Sequence, residues 1–361
     1  MARHALRLGT AALRLGCALT VLCSVNTAKG KILVIRGGAI GDFILTLPAI
    51  GALRKQFPDA HLEVLGYPHI AQLALCGGLA HAVHSIEARP LAGFFARNGE
   101  LQPELAGYFA SFALVLSYLY DPDEIFRTNV GRCSQAQFIA GPHRPDEKLD
   151  LHATEVFLKP LERLAIFGAD PVPRLKVERA PNSPDRSSPP AIRSALLADD
   201  GSSALHAPDQ PVDSPTLALH PGSGSEAKNW PEPRWHQLLE RLIGETAWRF
   251  LLVGGEAEGT RLDRLASCVP APRLCIARSL PLPELAGRLA SCSAFVGHDS
   301  GITHLAAAIG LPGLALWGAT SEAIWRPRSD RLKVLRAPGG LTGLTVDRVA
   351  GELASVVRPG A

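Results

Sequence analysis

Residues 297–310 read GHDSGITHLAAAIG, and an apolar run, Ala294–Val296, leads into them. A short apolar run, a turn of small and polar residues, then the helix-forming string Thr303–Ile309 describe a strand, a tight loop and a helix start. Gly297 and Gly301 let the backbone bend and let a ligand approach it closely. Ser300 and Thr303 are good cap residues, and the free N–H groups of a new helix attract anions. Asp299 does not suit a bare phosphate site, because a carboxylate repels phosphate. It suits a hydroxyl-rich group held beside phosphates, and the pairing of sugar with phosphate points to a nucleotide-sugar site.

Two further segments repeat the strand–loop–helix pattern. In TLALHPGSGSEAKNWPEPRWHQLLERL (216–242) the strand Leu217–Leu219 passes through a Gly/Ser loop into an amphipathic helix. Ser223 and Ser225 offer hydroxyls and Lys228 one mobile positive charge, equipment for a diphosphate, although the Walker pattern GxxxxGK[ST] is absent. An ordinary strand–helix turn with an exposed lysine explains the same residues. In KILVIRGGAIGDFILTLPAIGALRKQFPDAHLEVLG (31–66) the run Ile32–Ile35 is apolar throughout, as in a buried parallel strand. Gly37, Gly38 and Gly41 form the loop, Phe43–Leu53 a helix with Pro48 at a kink or first turn, and Leu62–Leu65 the next strand: one βαβ unit. The fingerprint GxGxxG would need glycine at Arg36, which disfavours a nicotinamide or flavin site. Asp42 is acidic at a helix N-terminus, where it is either a cap or a reacting group.

Composition bounds the rest. A chain of 361 residues implies about two domains. A 47% hydrophobic content supplies their cores, and a net charge of +3 without a basic, aromatic-interleaved run gives no argument for nucleic acid. The seven cysteines (17, 23, 76, 133, 268, 275 and 292) are odd in number, contain no CxxC pair, and read as unpaired thiols in a reducing compartment. His and Cys nowhere cluster at zinc spacing, so no metal and no cofactor are expected.

Taken together, ILVIRGGAIGDFILTLPAI, HPGSGSEAKNWPEPRW and VGHDSGITHLAAAIGLPGLALWG, in that order, resemble glycosyltransferase family 9, the ADP-heptose:lipopolysaccharide heptosyltransferases, over about residues 31–335. The resemblance implies an α/β GT-B fold, two Rossmann-like domains with parallel sheets facing a central cleft, and inversion at the anomeric carbon without a metal. It places the acceptor mainly on the first domain and the nucleotide mainly on the second. By position, Asp42 matches the family's general base and Lys228 its donor-phosphate lysine. Ser223 and Gly224 lie in its phosphate loop, often Thr-Thr there, so one hydroxyl is missing here. Asp299 matches the aspartate that holds the heptose, with Ser300, Gly301 and His304 beside it. Leu280–Leu282 corresponds to the adenine-side loop. Spacing alone leaves a two-carboxylate hydrolase open, since Asp42 and Asp299 fall in different domains.

The expected organisation is an N-terminal extension (1–30), an acceptor-side domain (31–180), a linker (181–215), a nucleotide-sugar domain (216–340) and a C-terminal helix or tail (341–361). The extension has a basic start and an apolar run, Leu15–Val25, too short for a membrane span. A misplaced start, a membrane-surface anchor and a signal peptide all fit it. The linker is rich in Pro, Ser and Asp around a helix-like Ala191–Ala198. Phe112–Leu119 reads as a strand and Ala153–Phe167 as a helix, and Thr345–Val357 as a final helix packing back on the first domain. Strands are expected at Phe250–Val253, Leu274–Ile276 and Leu314–Trp317. Trp230 and Trp235 read as packing residues and His220 as a strand-end residue, with Trp317–Thr320 at the cleft edge or in a plain turn.

The resulting expectation is a cytoplasmic transferase, peripheral at the inner face of the inner membrane, moving heptose from ADP-heptose to a lipid-linked core saccharide. No obligate protein partner is implied. The alternatives are a family 9 enzyme with another sugar nucleotide or acceptor, and a sugar-nucleotide-binding module that has lost catalysis.

Overall fold

The computed structural model describes residues 30–182, 214–255 and 258–357. Residues 1–29, the helix-like 191–198 and most of the expected linker therefore lie outside the described residues.

The first unit runs β1 (Lys31–Arg36), α1 (Ile40–Gln56), β2 (His61–Gly66), α2 (Pro68–Cys76), β3 (Ala82–Ser85), α3 (Pro103–Ala110), β4 (Leu114–Ser117), α4 (Ile125–Gly131), β5 (Gln137–Ala140) and α5 (Ala153–Leu158). The second runs β6 (Thr216–His220), α6 (Glu232–Glu245), β7 (Arg249–Gly254), α7 (Gly259–Ala266), β8 (Leu274–Arg278), α8 (Leu282–Ala290), β9 (Ala294–His298), α9 (Gly301–Ile309), β10 (Gly313–Leu316), α10 (Glu322–Trp325), β11 (Leu332–Leu335) and α11 (Val346–Val357). Each unit contains one sheet, ordered β3-β2-β1-β4-β5 and β11-β10-β9-β6-β7-β8, and every pairing is parallel. This is the two-domain parallel α/β arrangement expected of a GT-B fold.

The strands are apolar because both faces of a parallel sheet are covered by helices. Leu33, Val34 and Ile35 in the first sheet, and Ala218, Phe295 and Val296 in the second, are fully buried. One core cluster is continuous across the two units, joining Ile44, Leu47 and Ile50 to Leu289, Leu305 and Phe295. Helix α1 packs on α9, and α2 on α8. The units thus meet through helix faces that already carry apolar stripes.

In both sheets the strand order reverses once, between β1 and β4 and between β6 and β9. Loops leaving the carboxyl ends of strands on either side of such a reversal diverge and open a crevice, where open α/β sheets bind ligands. The loops after β1, β6 and β9 are the three segments singled out in the sequence.

Two expectations need correction and a third is narrowed. The helix expected over 153–167 ends at Leu158 and continues only as 3₁₀ turns over Lys159–Leu164. Pro160 lacks the N–H that would extend it, and Ala165 turns left-handed at φ 57°. Pro48 sits well inside α1, which removes the first turn from its two expected places and leaves the kink. Helix α11 packs on α6 and β10 of the second unit rather than on the first, because Val349, Ala350 and Leu353 complete the core around Trp235 and Leu314.

Candidate active site

Helices α1 and α9 begin on opposite sides of the cleft and nearly touch. A Cβ on Gly301 would lie 2.6 Å from Ile40 Cβ and 3.1 Å from the Gly41 nitrogen, so only glycine permits this approach. Ser300 caps α9, its hydroxyl accepting from Thr303 N–H at 3.3 Å. Thr303 is a different kind of cap residue from the one expected: it donates to the His298 carbonyl, tying the helix to the strand before it.

Two cavities flank this contact and share Ala39, Gly41, Ser300 and Gly301. The smaller, of about 560 Å³, is lined by Asp42, Arg144, Glu147, Lys228, Asp299 and His304, with Thr320 and Trp325. Lys228 Nζ donates to Asp299 Oδ2 at 2.6 Å, with Lys228 partly exposed and Asp299 nearly buried. The proposed phosphate and sugar ligands of the sequence are therefore one ion pair, brought together by the reversal between β6 and β9. Asp42 makes a capping contact without being withdrawn from the cleft. Its Oδ2 accepts from Ala39 N–H at 3.0 Å, as a cap does, and it still lines the cavity. His304 is buried and faces the same space, and that burial pulls its pKa down to about 4 against the opposing pull of Asp299. It is a neutral imidazole at pH 7.

The larger cavity, of about 850 Å³, carries Ser223, Gly224, His220 and Glu258 on one side, and Val253, Ala277, Leu280, Leu282 and Leu285 on the other. Leu280–Leu282 thus borders a largely apolar chamber. Ser225 lines neither cavity. Its N–H and carbonyl close a turn with the Ser223 hydroxyl, at 3.3 and 2.8 Å, so its backbone shapes the loop.

Sequence reading missed Glu258. It follows β7, outside every motif, and only the topology could have flagged it. Its Oε1 lies 3.6 Å from Nε2 of His220, whose Nδ1 is 3.2 Å from the Ser300 hydroxyl. Gly222 makes room for this carboxylate, since a Cβ there would come within 2.1 Å of Glu258 Oε1. Burial outweighs the Glu258 charge and lowers the His220 pKa to about 4. His298, beneath the loop, accepts the Trp230 N–H at 2.7 Å through Nε2, which leaves its proton on Nδ1 towards Gly222 O. Burial pushes its pKa down to about 3. Trp230 and Trp235 are the packing residues expected, stacked edge to face at 5.3 Å. Trp317 is buried, whereas Ala319 and Thr320 reach the cleft.

Two parallel-sheet units whose loops face a shared cleft are the arrangement of a GT-B fold. A profile of glycosyltransferase family 9 (heptosyltransferase) matches residues 187–342. Lipopolysaccharide heptosyltransferase 3 of Escherichia coli is 22% identical over 302 residues, 81% of this chain and 84% of that protein. Lipopolysaccharide heptosyltransferase 1 of Pseudomonas aeruginosa is 37% identical over 108 residues, 30% of each chain. The structure of E. coli ADP-heptose lipopolysaccharide heptosyltransferase II superposes with a TM-score of 0.69 at 17% identity, covering 91% of this chain and 98% of that one. The chain is thus similar to glycosyltransferase family 9 over residues 187–342 and shares its fold over most of its length.

Proposed function

We propose that the enzyme transfers heptose from ADP-heptose to a lipid-linked saccharide of the lipopolysaccharide core, with inversion and without a metal. The observation that carries this reading is the Lys228–Asp299 pair at the N-terminus of α9, facing Asp42 across the Gly41–Gly301 contact. The similarity to lipopolysaccharide heptosyltransferases, one of them named for ADP-heptose, supports the donor and the acceptor class.

In this reading adenine occupies the apolar wall at Val253, Ala277 and Leu280–Leu285, and Glu258 accepts hydrogen bonds from the ribose hydroxyls. The diphosphate lies against Ser223, the Gly224 backbone, Lys228 and the open N–H groups of α9. Asp299 accepts from the heptose hydroxyls, with His304 as a neutral neighbour. Asp42 takes the acceptor's hydroxyl proton as that oxygen attacks the anomeric carbon. The bond from that carbon to the phosphate oxygen breaks in the same displacement. The electron pair leaves with ADP, whose growing charge Lys228 and the helix terminus stabilise. The acceptor enters from the first unit, where a cavity of about 260 Å³ opens at the ends of β4 and β5 beside Tyr120 and His143. Among the described residues no helix is long and apolar enough to cross a membrane. We place the enzyme at the cytoplasmic face of the inner membrane, peripheral to it.

Calorimetric titration with ADP-heptose, ADP, UDP-sugars and GDP-sugars in the presence of EDTA tests the donor. Selective binding of the ADP compounds is expected, and preference for another nucleotide would overturn the donor while leaving the fold. Asp42→Asn is expected to lower kcat by about 10²–10⁴-fold with ADP affinity unchanged. Binding of ADP-heptose without turnover in the unmodified protein would instead indicate a sugar-nucleotide-binding module.

A further inference from the structure

Arg36 ends β1, one residue past a run of fully buried aliphatics, and is itself only 3% exposed. An apolar side chain would fill such a position at no electrostatic cost, whereas a buried charge is stabilised only by partners. Its polar partners among the described residues are Asp42 and His143. Nη2 donates to the Asp42 carbonyl at 3.3 Å and lies 3.7 Å from Asp42 Oδ1, the one carboxylate paired with this guanidinium among the described residues. Nη1 donates to the His143 carbonyl at 2.9 Å. The guanidinium sits over Phe157 at 4.5 Å and near Tyr118 at 5.8 Å, and Nε has no hydrogen-bond partner among the described residues.

These contacts fix two things together. Asp42 Oδ2 is held by the Ala39 N–H while Oδ1 faces Arg36, so the carboxylate is gripped at both oxygens from its protein side and keeps its remaining lone pairs for the cleft. His143 forms a wall of the cavity beside Tyr120, the two rings 4.6 Å apart, with Tyr120 72% exposed. A single rigid fork therefore joins the start of α1, which carries Asp42, to the loop bordering the acceptor-side cavity. Lysine, with one ammonium in place of a planar fork, cannot hold both carbonyls in the same way.

We propose that Arg36 is a positioning residue: it sets the orientation of Asp42 relative to the acceptor-side cavity and acts on the rate only through Asp42. This rests on Asp42 being the base. The test is a double-mutant cycle with Arg36→Met, Arg36→Lys and Asp42→Asn, read as kcat, donor KM and ADP affinity. Arg36→Met is expected to lower kcat about 100-fold while donor KM and ADP affinity stay within about twofold, because the nucleotide lies on the other unit. Arg36→Lys is expected to retain part of the rate, with a loss of about tenfold. In the Asp42→Asn background neither change should cost anything further. A near-normal kcat in Arg36→Met with Asp42→Asn inactive would overturn the role of Arg36 alone, as would a full additional loss in the Asp42→Asn background. Normal turnover in Asp42→Asn would overturn the base itself and leave Arg36 nothing to position. If Arg36→Met does not fold, the Arg36→Lys arm of the cycle decides by the same criteria.

Discussion

The Gly41–Gly301 contact gives a pair of matched substitutions with opposite expectations. In Gly301→Ala the new methyl would sit 2.6 Å from Ile40 Cβ, 3.0 Å from its Cγ2 and 3.1 Å from the Gly41 nitrogen. Carbon–carbon contacts relax at about 3.5–4.0 Å, so the two helix starts must separate by about 1 Å. No side-chain rotation relieves this, because the Ile40 Cβ and the Gly41 nitrogen are fixed to the backbone. A displacement of about 1 Å between reacting groups costs up to about 100-fold in rate, about 2.7 kcal/mol of barrier. The reverse change, Gly41→Ala, meets His304 Cδ2 at 3.4 Å and nothing else closer than 3.8 Å, which is ordinary contact. The expected result is a kcat lowered about 10–100-fold in Gly301→Ala and within about threefold of normal in Gly41→Ala, with ADP affinity little changed in either. Steady-state turnover and calorimetry on the two proteins provide the comparison. Equal effects of the two substitutions, or a normal kcat in Gly301→Ala, would refute the claim that the close helix approach sets the catalytic geometry.

Three further outcomes are expected. Lys228→Ala removes the 2.6 Å partner of Asp299 and a charge from the phosphate side, so ADP affinity measured by calorimetry should fall about tenfold or more. Unchanged affinity would remove Lys228 from the phosphate site. His152, His220 and His304 are held neutral with pKa values near 4 and His298 near 3, all lowered by burial from 6.5. On unfolding they regain the ordinary value and bind protons, so stability is complete above about pH 6.5 and is lost as pH falls towards 4. Each contributes up to about 1.4 kcal/mol per pH unit in that window. Thermal melting should therefore drop between pH 7 and 5.5, before most carboxylates titrate, and a flat melting temperature there would contradict the neutral buried histidines. Turnover with excess EDTA should match turnover without it, and a loss restored by a divalent ion would overturn metal independence.

Much of this architecture is legible in the chain because a parallel strand and its following helix are both local patterns. Ile32–Ile35 and Ala294–Val296 declare buried strands by being apolar throughout, and each is followed by a glycine-containing loop at a helix start. Pairwise geometry is less accessible. Nothing local says that Lys228 and Asp299, 71 residues apart, form one ion pair, although the strand order that brings them together follows from the fold. Glu258 escaped because an acidic residue after a strand has no distinctive neighbours, and Arg36 was read only as a missing fingerprint glycine. The last helix was assigned to the wrong unit because an amphipathic stripe says that a face is buried but not against what. The turn that the Ser223 hydroxyl closes with the Ser225 backbone was equally hidden, because a loop hydroxyl looks the same in the sequence whether it faces a ligand or its own backbone.

The cleft does not attract an anion by net charge. Two cations, Arg144 and Lys228, face three carboxylates, Asp42, Glu147 and Asp299. What distinguishes the two sides is how each helix terminus is used. The N-terminal pole of α1 already has an acidic residue in its first turn, Asp42, so its positive end holds a protein carboxylate in place. Helix α9 has no acidic residue in its first turn, and the charge of Asp299 just before it is met by Lys228. The pole of α9 is the one with donors to spare. In the proposed mode an incoming diphosphate would gain N–H groups there and compete for Lys228, which would leave Asp299 for neutral hydroxyl donors. At α1 the same phosphate would meet Asp42 and be repelled. That asymmetry, and not the total charge, is the physical ground for assigning the nucleotide sugar to the second unit and the proton acceptor to the first.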